Sequence, residues 1–486
     1  MTPRAGARLL REKESPAKDE VAGASAFDSF YLKDRYGSKA MRAIWSDRAM
    51  VQAWLDCEAA LALAESEVGV VPTSAAREIA KAARVGNVNL GAMRAEFDQT
   101  WNPVLPLVNV LRARLSEKAA QWVHWGATSK NIMDTGSALQ IKATYAVVEA
   151  GLDRIESALV VLARKHRDTL MAARTHGQQA IPVTLGYKVA VWIDDIRRQR
   201  ERLLESRKRV LVCEFGGAVG TMAASGKIGL RIQERFAKRL GLGVPLIPTK
   251  TAGDRFAEFF LVLSSISGTF SKIAAAVYNH QQSDIDELSE FSVGKVGSSA
   301  MPHKLNPVAS GSVVLLFRLI KARATAVLDY VHCEWEDDHR QGETLWSFGP
   351  EISLLFGAQL ELLARVLESL IVKPENMLRN LERSGGAVLS EALMMALAKK
   401  MGRDAAHAHV LGLSRRSRAE DRSFCDIARS DPKVKTLVTR RALDRALDYR
   451  SGVGLSTYFV DSVLGTTATA RRPRQKKPSR NSGTRS

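Results

Sequence analysis

The chain has 486 residues, of which 45% are hydrophobic and only 6% aromatic, and it contains 15 prolines. This length can bury a large core divided over two or three domains, and the composition favours helices over strands. We therefore expect an all-α fold with few strands.

The sequence argues against a disulfide framework, a metal site and a membrane span. The four cysteines lie far apart and form no CxxC pair, namely Cys57, Cys213, Cys333 and Cys425. No run of 18 apolar residues occurs, and acidic residues occupy positions 12, 14, 19 and 20, where a secretory signal has an apolar core. We expect a cytoplasmic protein without a metal.

The formal net charge of +19 indicates anionic partners, but part of it lies at one end. The last 16 residues hold seven Arg or Lys and no acid, and we predict a basic disordered tail over residues 466–486. Nucleic-acid binding by this tail is the less favoured interpretation, because no recognition motif accompanies the charge. Positive charge elsewhere fits a polycarboxylate substrate drawn into a cleft.

The pattern of apolar residues divides the chain into three helical parts. Residues 1–26 lack apolar periodicity, which predicts a flexible arm, and a helical pattern over residues 40–68 opens a predicted N-terminal domain, residues 27–126. Stripes at helical spacing in residues 152–162, 189–196 and 363–370 predict a central bundle of long helices, residues 127–372. After the break at Lys373-Pro374, we predict a C-terminal helical domain, residues 373–465.

The most unusual stretch is residues 294–307, GKVGSSAMPHKLNP, between two helical patterns. Its glycines allow close backbone approach, Ser298 and Ser299 can exchange protons, and Lys304 and Asn306 can bind carboxylate oxygens. A serine can act as a base only where backbone N–H groups and a nearby cation stabilise its alkoxide. The alternative is a mobile surface loop without a chemical role.

Four sequence blocks resemble those of a known family. GSSAMPHKLNP, residues 297–307, is similar to the signature loop GSSxMPxKxNP of the fumarase/aspartase superfamily. HWGATS at residues 124–129 resembles the HxGATS element of that family, and RTHGQ at residues 174–178 resembles its RTHGQ element. GGAVGT at residues 216–221 is similar to a further family segment, and the resemblance spans residues 30–465.

The resemblance implies an architecture. Family members have three-domain helical subunits whose central five-helix bundles assemble into the twenty-helix core of a homotetramer. Each active site would then combine blocks from three subunits, so that blocks held apart in one chain could converge.

The resemblance also implies a reaction, which is an anti β-elimination that releases fumarate or a related acid from a succinyl-type substrate without a cofactor. Ser298 would take the Cβ proton, with Ser299 as an open alternative, and His176 would protonate the leaving nitrogen. The intermediate is a carbanion whose charge spreads into the adjacent carboxylate, which hydrogen-bond donors must stabilise. The expected substrate-binding residues are His124, Thr128, Ser129, Thr175, Ser299, Lys304 and Asn306.

Within the family, the blocks resemble the adenylosuccinate lyase and 3-carboxy-cis,cis-muconate cycloisomerase branch. Arg35-Tyr36 is similar to the start of adenylosuccinate lyases, where such a pair helps to hold the nucleotide. The segment 384–392 and Trp346 look more like the cycloisomerases.

Three positions depart from the adenylosuccinate lyase pattern. Where those enzymes have a run that helps to bind phosphate, this chain has Asp337, which would repel the anion, with Arg340 as a partial substitute. Gly311 stands where many members place the carboxylate that pairs with the catalytic histidine. Lys130-Asn131 replaces the end of TSxD and adds a cation, which favours a more anionic, non-nucleotide substrate.

We therefore predict an adenylosuccinate-lyase-like carbon–nitrogen lyase acting on a succinyl amine that need not be a nucleotide. The alternative is a cycloisomerase of the muconate type. A non-catalytic binding or structural protein is disfavoured, because the candidate serine, lysine, asparagine and both histidines are present together.

Overall fold

The computed structural model describes residues 23–291, 300–301 and 303–465. Over these residues the chain is mostly helical, so the predicted fold class is confirmed. The predicted tail lies outside the described residues, as do residues 1–22 of the predicted arm.

The first helices surround α3, whose N-terminus is capped by the side chain of Ser46, which accepts the Ala49 N–H at 3.3 Å. Its buried face includes Trp54, Leu55 and Leu61, and α4 packs on it. This group comprises α1 (Lys33–Tyr36), α2 (Lys39–Trp45), α3 (Asp47–Glu67), α4 (Thr73–Ala82), α5 (Leu90–Thr100), α6 (Leu105–Arg112) and α7 (Glu117–Ala120).

Five long helices form the centre of the molecule, with a shorter one beside them. They are α8 (Ser129–Lys165), α9 (Leu185–Val210), α11 (Asp254–His280), α12 (Val308–Asp329) and α13 (His339–Glu368), and the shorter α10 (Lys227–Leu240) packs on α3 instead. Within the bundle, α8 packs on α9 and α13, and α12 packs on α11 and α13. One contiguous apolar core fills the space between them.

One bundle helix, α11, is long and apolar enough to cross a membrane by length and composition alone. Half of its most apolar window is buried, and Phe259, Phe260 and Leu263 lie fully inside the bundle core. Its hydropathy is therefore explained by packing against neighbouring helices.

The C-terminal helices form a third apolar cluster around Leu393, Phe424 and Ile427. They are α14 (Pro374–Glu382), α15 (Ser390–Met401), α16 (Arg403–Ala419), α17 (Phe424–Ser430), α18 (Pro432–Leu437), α19 (Arg440–Ala446) and α20 (Ser456–Leu464). Short 3-10 turns lie at Val85–Asn87, Ala387–Leu389 and Ser451–Val453. The predicted domain limits stay a prediction; α10 and the segment before it pack with the N-terminal cluster.

Two small antiparallel sheets interrupt the helices of the described chain. β1 (Leu170–Thr175) pairs with β2 (Gln178–Thr184), and β3 (Leu288–Ser289) pairs with β4 (Ile371–Val372). The first sheet is a hairpin between α8 and α9, and its two-residue turn falls within the RTHGQ block. In the second sheet, β3 lies a few residues before the signature loop and β4 follows α13.

Candidate active site

His124 is held by a buried carboxylate from a distant part of the chain. Its Nδ1 lies 2.6 Å from Oε1 of Glu58 on α3, and the side chains of His124 and Glu58 are 19% and 1% exposed. The backbone of His124 is left-handed, with φ of 65°, a conformation that is uncommon for residues other than glycine. Glu58 therefore fixes the ring orientation and leaves Nε2 as the nitrogen that can face a substrate.

A second buried carboxyl group lies near this pair. Glu65 is 1% exposed, and neither of its carboxyl oxygens has a hydrogen-bond partner among the described residues. Burial, and then the charge of Glu58, raise the pKa of Glu65 to about 9. Glu65 is consequently neutral at pH 7.

Thr128 and Ser129 lie at the N-terminus of α8. Asn131 accepts the backbone N–H of Thr128 at 3.1 Å, and the Ser129 hydroxyl lies 3.2 Å from Oδ1 of Asn102. The asparagine that replaces the family acid thus caps the helix. The cation that Lys130 adds is buried, and its ammonium binds Asp134 at 3.0 Å; the preference for a more anionic substrate stays a prediction.

His176 sits in the turn of the β1–β2 hairpin. His176 and Gly177 have φ of 51° and 78°, as a two-residue type I′ turn requires. Thr175 and His176 are exposed. The turn therefore presents an imidazole away from the body of its own chain.

The hairpin is held close to its turn by Glu287, which sequence reasoning missed. Arg174 donates to both of its carboxylate oxygens at 2.6 and 2.9 Å, Nδ1 of His280 lies 2.7 Å away, and Asn380 donates at 2.9 Å. Burial alone would raise the pKa of Glu287, but the bonds from His280, Arg174 and Asn380 outweigh it and lower the pKa to about 2. The only sequence signal is an acid just ahead of the signature loop.

Of the signature-loop candidates, Ser298 and Ser299 lie outside the described residues. Lys304 and Asn306 are exposed in the stretch that leads into α12, where the Lys304 N–H donates to Met301 at 3.0 Å. Gly311 follows in α12, and a side chain there would first meet the ring of Tyr278.

Arg35 and Tyr36 lie close to the helix that follows the loop. They line a cavity of about 500 Å³ together with Ala309 and Ser312 of α12 and Arg365 of α13. The two residues therefore share one end of the bundle with Lys304 and Asn306.

Within one chain, the structure does not bring His124 and His176 together. The start of α9 is bonded to the end of α8 through Gly186 and His166, whereas Thr135 near the start of α8 bonds to Glu214, beyond the end of α9. The 37 residues of α8 span roughly 55 Å at 1.5 Å per residue. His124, Thr128 and Ser129 thus lie at one end of the bundle, and His176 and the flanks of the signature loop at the other.

Two basic side chains near the His124 end pair with acids of the same chain. Lys250 binds Asp337 at 2.5 Å, and Arg340 binds Asp338 and Glu334 at 2.7 and 2.8 Å. Arg340 binds two carboxylates of its own chain while its side chain stays 62% exposed, and its role as a substitute for a phosphate-binding residue stays a prediction.

Long bundle helices with reactive blocks at both ends define a helical lyase subunit. Residues 35–318 match the family described as Lyase, and residues 386–463 match Adenylosuccinate lyase C-terminus. The chain belongs to the fumarase/aspartase superfamily of lyases.

Three similar proteins have different named activities. An N-acetyl-S-(2-succino)cysteine lyase of Enterococcus italicus is 36% identical over 92% of this chain and 98% of its own. An adenylosuccinate lyase of Methanocaldococcus jannaschii is 36% identical over 89% of this chain and 94% of its own. The crystal structure of the 3-carboxy-cis,cis-muconate lactonizing enzyme from Pseudomonas putida has a TM-score of 0.83 at 35% identity, over 90% of this chain and 98% of its own.

Proposed function

We propose that the protein catalyses anti β-elimination from a non-nucleotide succinyl compound and releases fumarate. The observation that carries this proposal is the placement of the two histidine blocks. His124 is oriented by Glu58 at one end of the bundle, and His176 is presented on a hairpin turn at the other. Glu58 orients the His124 ring, and the bond between Glu287 and Arg174 holds the hairpin that carries His176.

In the proposed reaction, the sequence blocks supply the base, the acid and the donors that stabilise the intermediate. The Ser298 alkoxide takes the Cβ proton, and the electron pair spreads into the neighbouring carboxylate. The bond to the leaving atom then breaks, its electrons go to that atom, and His176 supplies the proton. The donors that stabilise the carbanion are His124, Thr128, Ser129, Thr175, Lys304 and Asn306.

A homotetramer with shared sites is part of this proposal. Because α8, which is roughly 55 Å long, lies between His124 and His176 within a chain, one active site needs these blocks from different chains. The measurement is the mass of the purified protein by light scattering; a monomer that turns over substrate would contradict this assembly.

Two observations support a substrate that is not a nucleotide. Lys250 and Arg340 are bound by acids of the same chain, which leaves less positive charge for a phosphate. The relative from Enterococcus italicus is named for an S-succinylated cysteine derivative. We favour an N-succinyl amine, as in the carbon–nitrogen lyases, with an S-succinyl thiol as the competing leaving group.

The test is ultraviolet detection of fumarate with purified protein and a panel of N-succinyl amines, S-succinyl thiols, adenylosuccinate and argininosuccinate. Fumarate from a succinyl amine supports a carbon–nitrogen lyase. If fumarate forms from thioethers and from no amine, the enzyme is a carbon–sulfur lyase. If adenylosuccinate were the best substrate, the proposal that the substrate is not a nucleotide would be contradicted.

A cycloisomerase is the second candidate. It is supported by the similarity to the muconate lactonizing enzyme from Pseudomonas putida over 90% of this chain. Adding 3-carboxy-cis,cis-muconate to the panel separates the two, because lactonisation consumes the diene absorbance without forming fumarate.

A further inference from the structure

The residues directly before the signature loop contain three carboxylates that bind three different parts of the molecule. Asp286 accepts from Lys373 and from Asn376 of the C-terminal helices, the latter at 2.9 Å. Glu287 binds Arg174, which lies two residues before His176 in the hairpin. Glu290 is the third, and its partners lie on the far side of the loop.

Glu290 joins the two flanks of the signature loop. Its Oε1 accepts the N–H of Ala309 at 2.7 Å, and its Oε2 accepts the N–H and the hydroxyl of Ser310 at 2.7 and 2.5 Å. Ala309 and Ser310 lie in the first turn of α12, which begins where the loop ends. Glu290 is 5% exposed, so these bonds are shielded from water.

A second connection runs through the end of α11. The N–H of Glu290 donates to Oε1 of Gln281 at 2.8 Å, and Nε2 of Gln281 donates to the carbonyl of Leu305 at 3.3 Å. The two flanks of the loop are therefore fixed to each other both directly and through α11.

A carboxylate at position 290 suits the first turn of α12, which it faces. The first turn of a helix has N–H groups without intrahelical partners, and a negative charge there is favoured by the helix dipole. Both oxygens of Glu290 accept backbone N–H groups. A glutamine would keep the size but would turn an NH2 group towards one of these donors.

We propose that Glu290 is a positioning residue for the lyase reaction, because it fixes the relative position of the two ends of the segment that carries Ser298, Lys304 and Asn306. Through the short stretch from Glu287 to Glu290, this segment is also tied to the His176 hairpin. The inference rests on the proposed function, since the loop affects turnover only if it carries reacting groups.

The experiment compares Glu290→Gln with a matched control in the full-length enzyme. The control is Asp431→Asn, because Asp431 is also a buried carboxylate that caps a helix, accepting the Val434 N–H at 2.8 Å, yet it belongs to the C-terminal helices. Two quantities are measured: hydrogen exchange of the Ala309 and Ser310 amides, and kcat and KM on the substrate that the panel identifies.

The proposal predicts faster exchange at Ala309 and Ser310 in Glu290→Gln and a decrease in kcat/KM of about 100-fold, carried mainly by kcat, because a misplacement of about 1 Å has that effect. Asp431→Asn should leave both quantities near those of the unaltered enzyme. A purely structural role would lower the melting temperature and speed the exchange, but would leave kcat and KM unchanged.

Unchanged exchange in Glu290→Gln would overturn the proposal. Faster exchange with unchanged kcat and KM would overturn it as well, because the contact would then stabilise the fold without positioning the loop. Absence of turnover by the unaltered enzyme on every substrate would instead remove the proposed function, and the positioning role with it.

Discussion

Nδ1 of His124 lies 2.6 Å from Oε1 of Glu58, and this contact joins the turn before α8 to α3. The carboxylate holds the ring by one nitrogen and leaves the other for a ligand. Because Glu58 is almost completely buried, its substitution tests the orientation of His124 without touching a substrate.

We predict that Glu58→Gln lowers kcat by roughly tenfold to a hundredfold, less than the full loss of a donor that stabilises the carbanion. The reason is that the amide no longer sets the ring orientation with a charge. Steady-state kinetics give the result, and Glu65→Gln, a change in a neighbouring buried carboxyl group without a His124 contact, is the control. Equal kinetics for Glu58→Gln and the unaltered enzyme would rule out this role.

We predict that Ser298→Ala abolishes turnover, a loss of roughly 10⁴ for a general base, while substrate binding and the oligomer persist. Calorimetry with substrate and light scattering check the last two points. Ser299→Ala is the matched variant. Retained activity in Ser298→Ala with loss in Ser299→Ala would assign the base to Ser299.

Glu65 gives a prediction for stability against pH. Its pKa is about 9 in the fold against 4.5 as the ordinary value, so its protonated form is favoured by the fold. The contribution of Glu65 to the free energy of unfolding is complete below pH 4.5 and is lost as the pH rises towards 9. At 1.36 kcal/mol per pH unit, about 3 kcal/mol of this stabilisation is lost by pH 7.

The melting temperature of Glu65→Gln minus that of the unaltered protein should therefore increase as the pH rises from 4.5 to 9. Thermal unfolding in a pH series measures the difference. The exposed Glu234 offers a control on α10, and Glu234→Gln should show a flat difference. A flat difference for Glu65→Gln too would contradict a buried neutral acid.

Glu287 gives a pH dependence of stability opposite to that of Glu65. Its pKa is lowered to about 2, so its contribution is present above pH 4.5 and is lost as the pH falls towards 2. At pH 7 we expect Glu287→Gln to reduce the free energy of unfolding by about 3–5 kcal/mol, because Arg174 and His280 lose their buried partner.

Chemical denaturation at pH 7 and pH 4 measures this loss, which should be smaller at the lower pH. Arg154, which pairs with Glu368 at the surface, provides a comparison. Glu368→Gln should cost no more than about 1 kcal/mol. A similar small cost for Glu287→Gln would show that the Arg174 contact does not anchor the hairpin.

The sequence predicted the helices well and their connections poorly. Apolar spacing identified the bundle stripes, because one side of each helix is buried over its full length. The hairpin around His176 was not predicted, since Leu170–Thr175 does not alternate apolar and polar residues.

The family blocks located the candidate groups, but their supporting carboxylates could not be read from the chain. Glu58 lies 66 residues from His124, and Glu287 lies 113 residues from Arg174. Such pairs depend on tertiary packing, and a buried acid in a helical pattern resembles any surface acid in the sequence. Lys130 and Asp134, by contrast, are four residues apart on α8, so helical spacing alone was enough to predict their ion pair.

The length of α8 has a genetic consequence under the proposed sharing of sites. A chain disabled at His124 and a chain disabled at His176 each fail alone, because every site then lacks one histidine. Mixed in one assembly, their intact ends can meet in some of the sites, so two inactive alleles co-expressed in one cell should restore part of the activity. Two alleles altered in the same block should not complement each other.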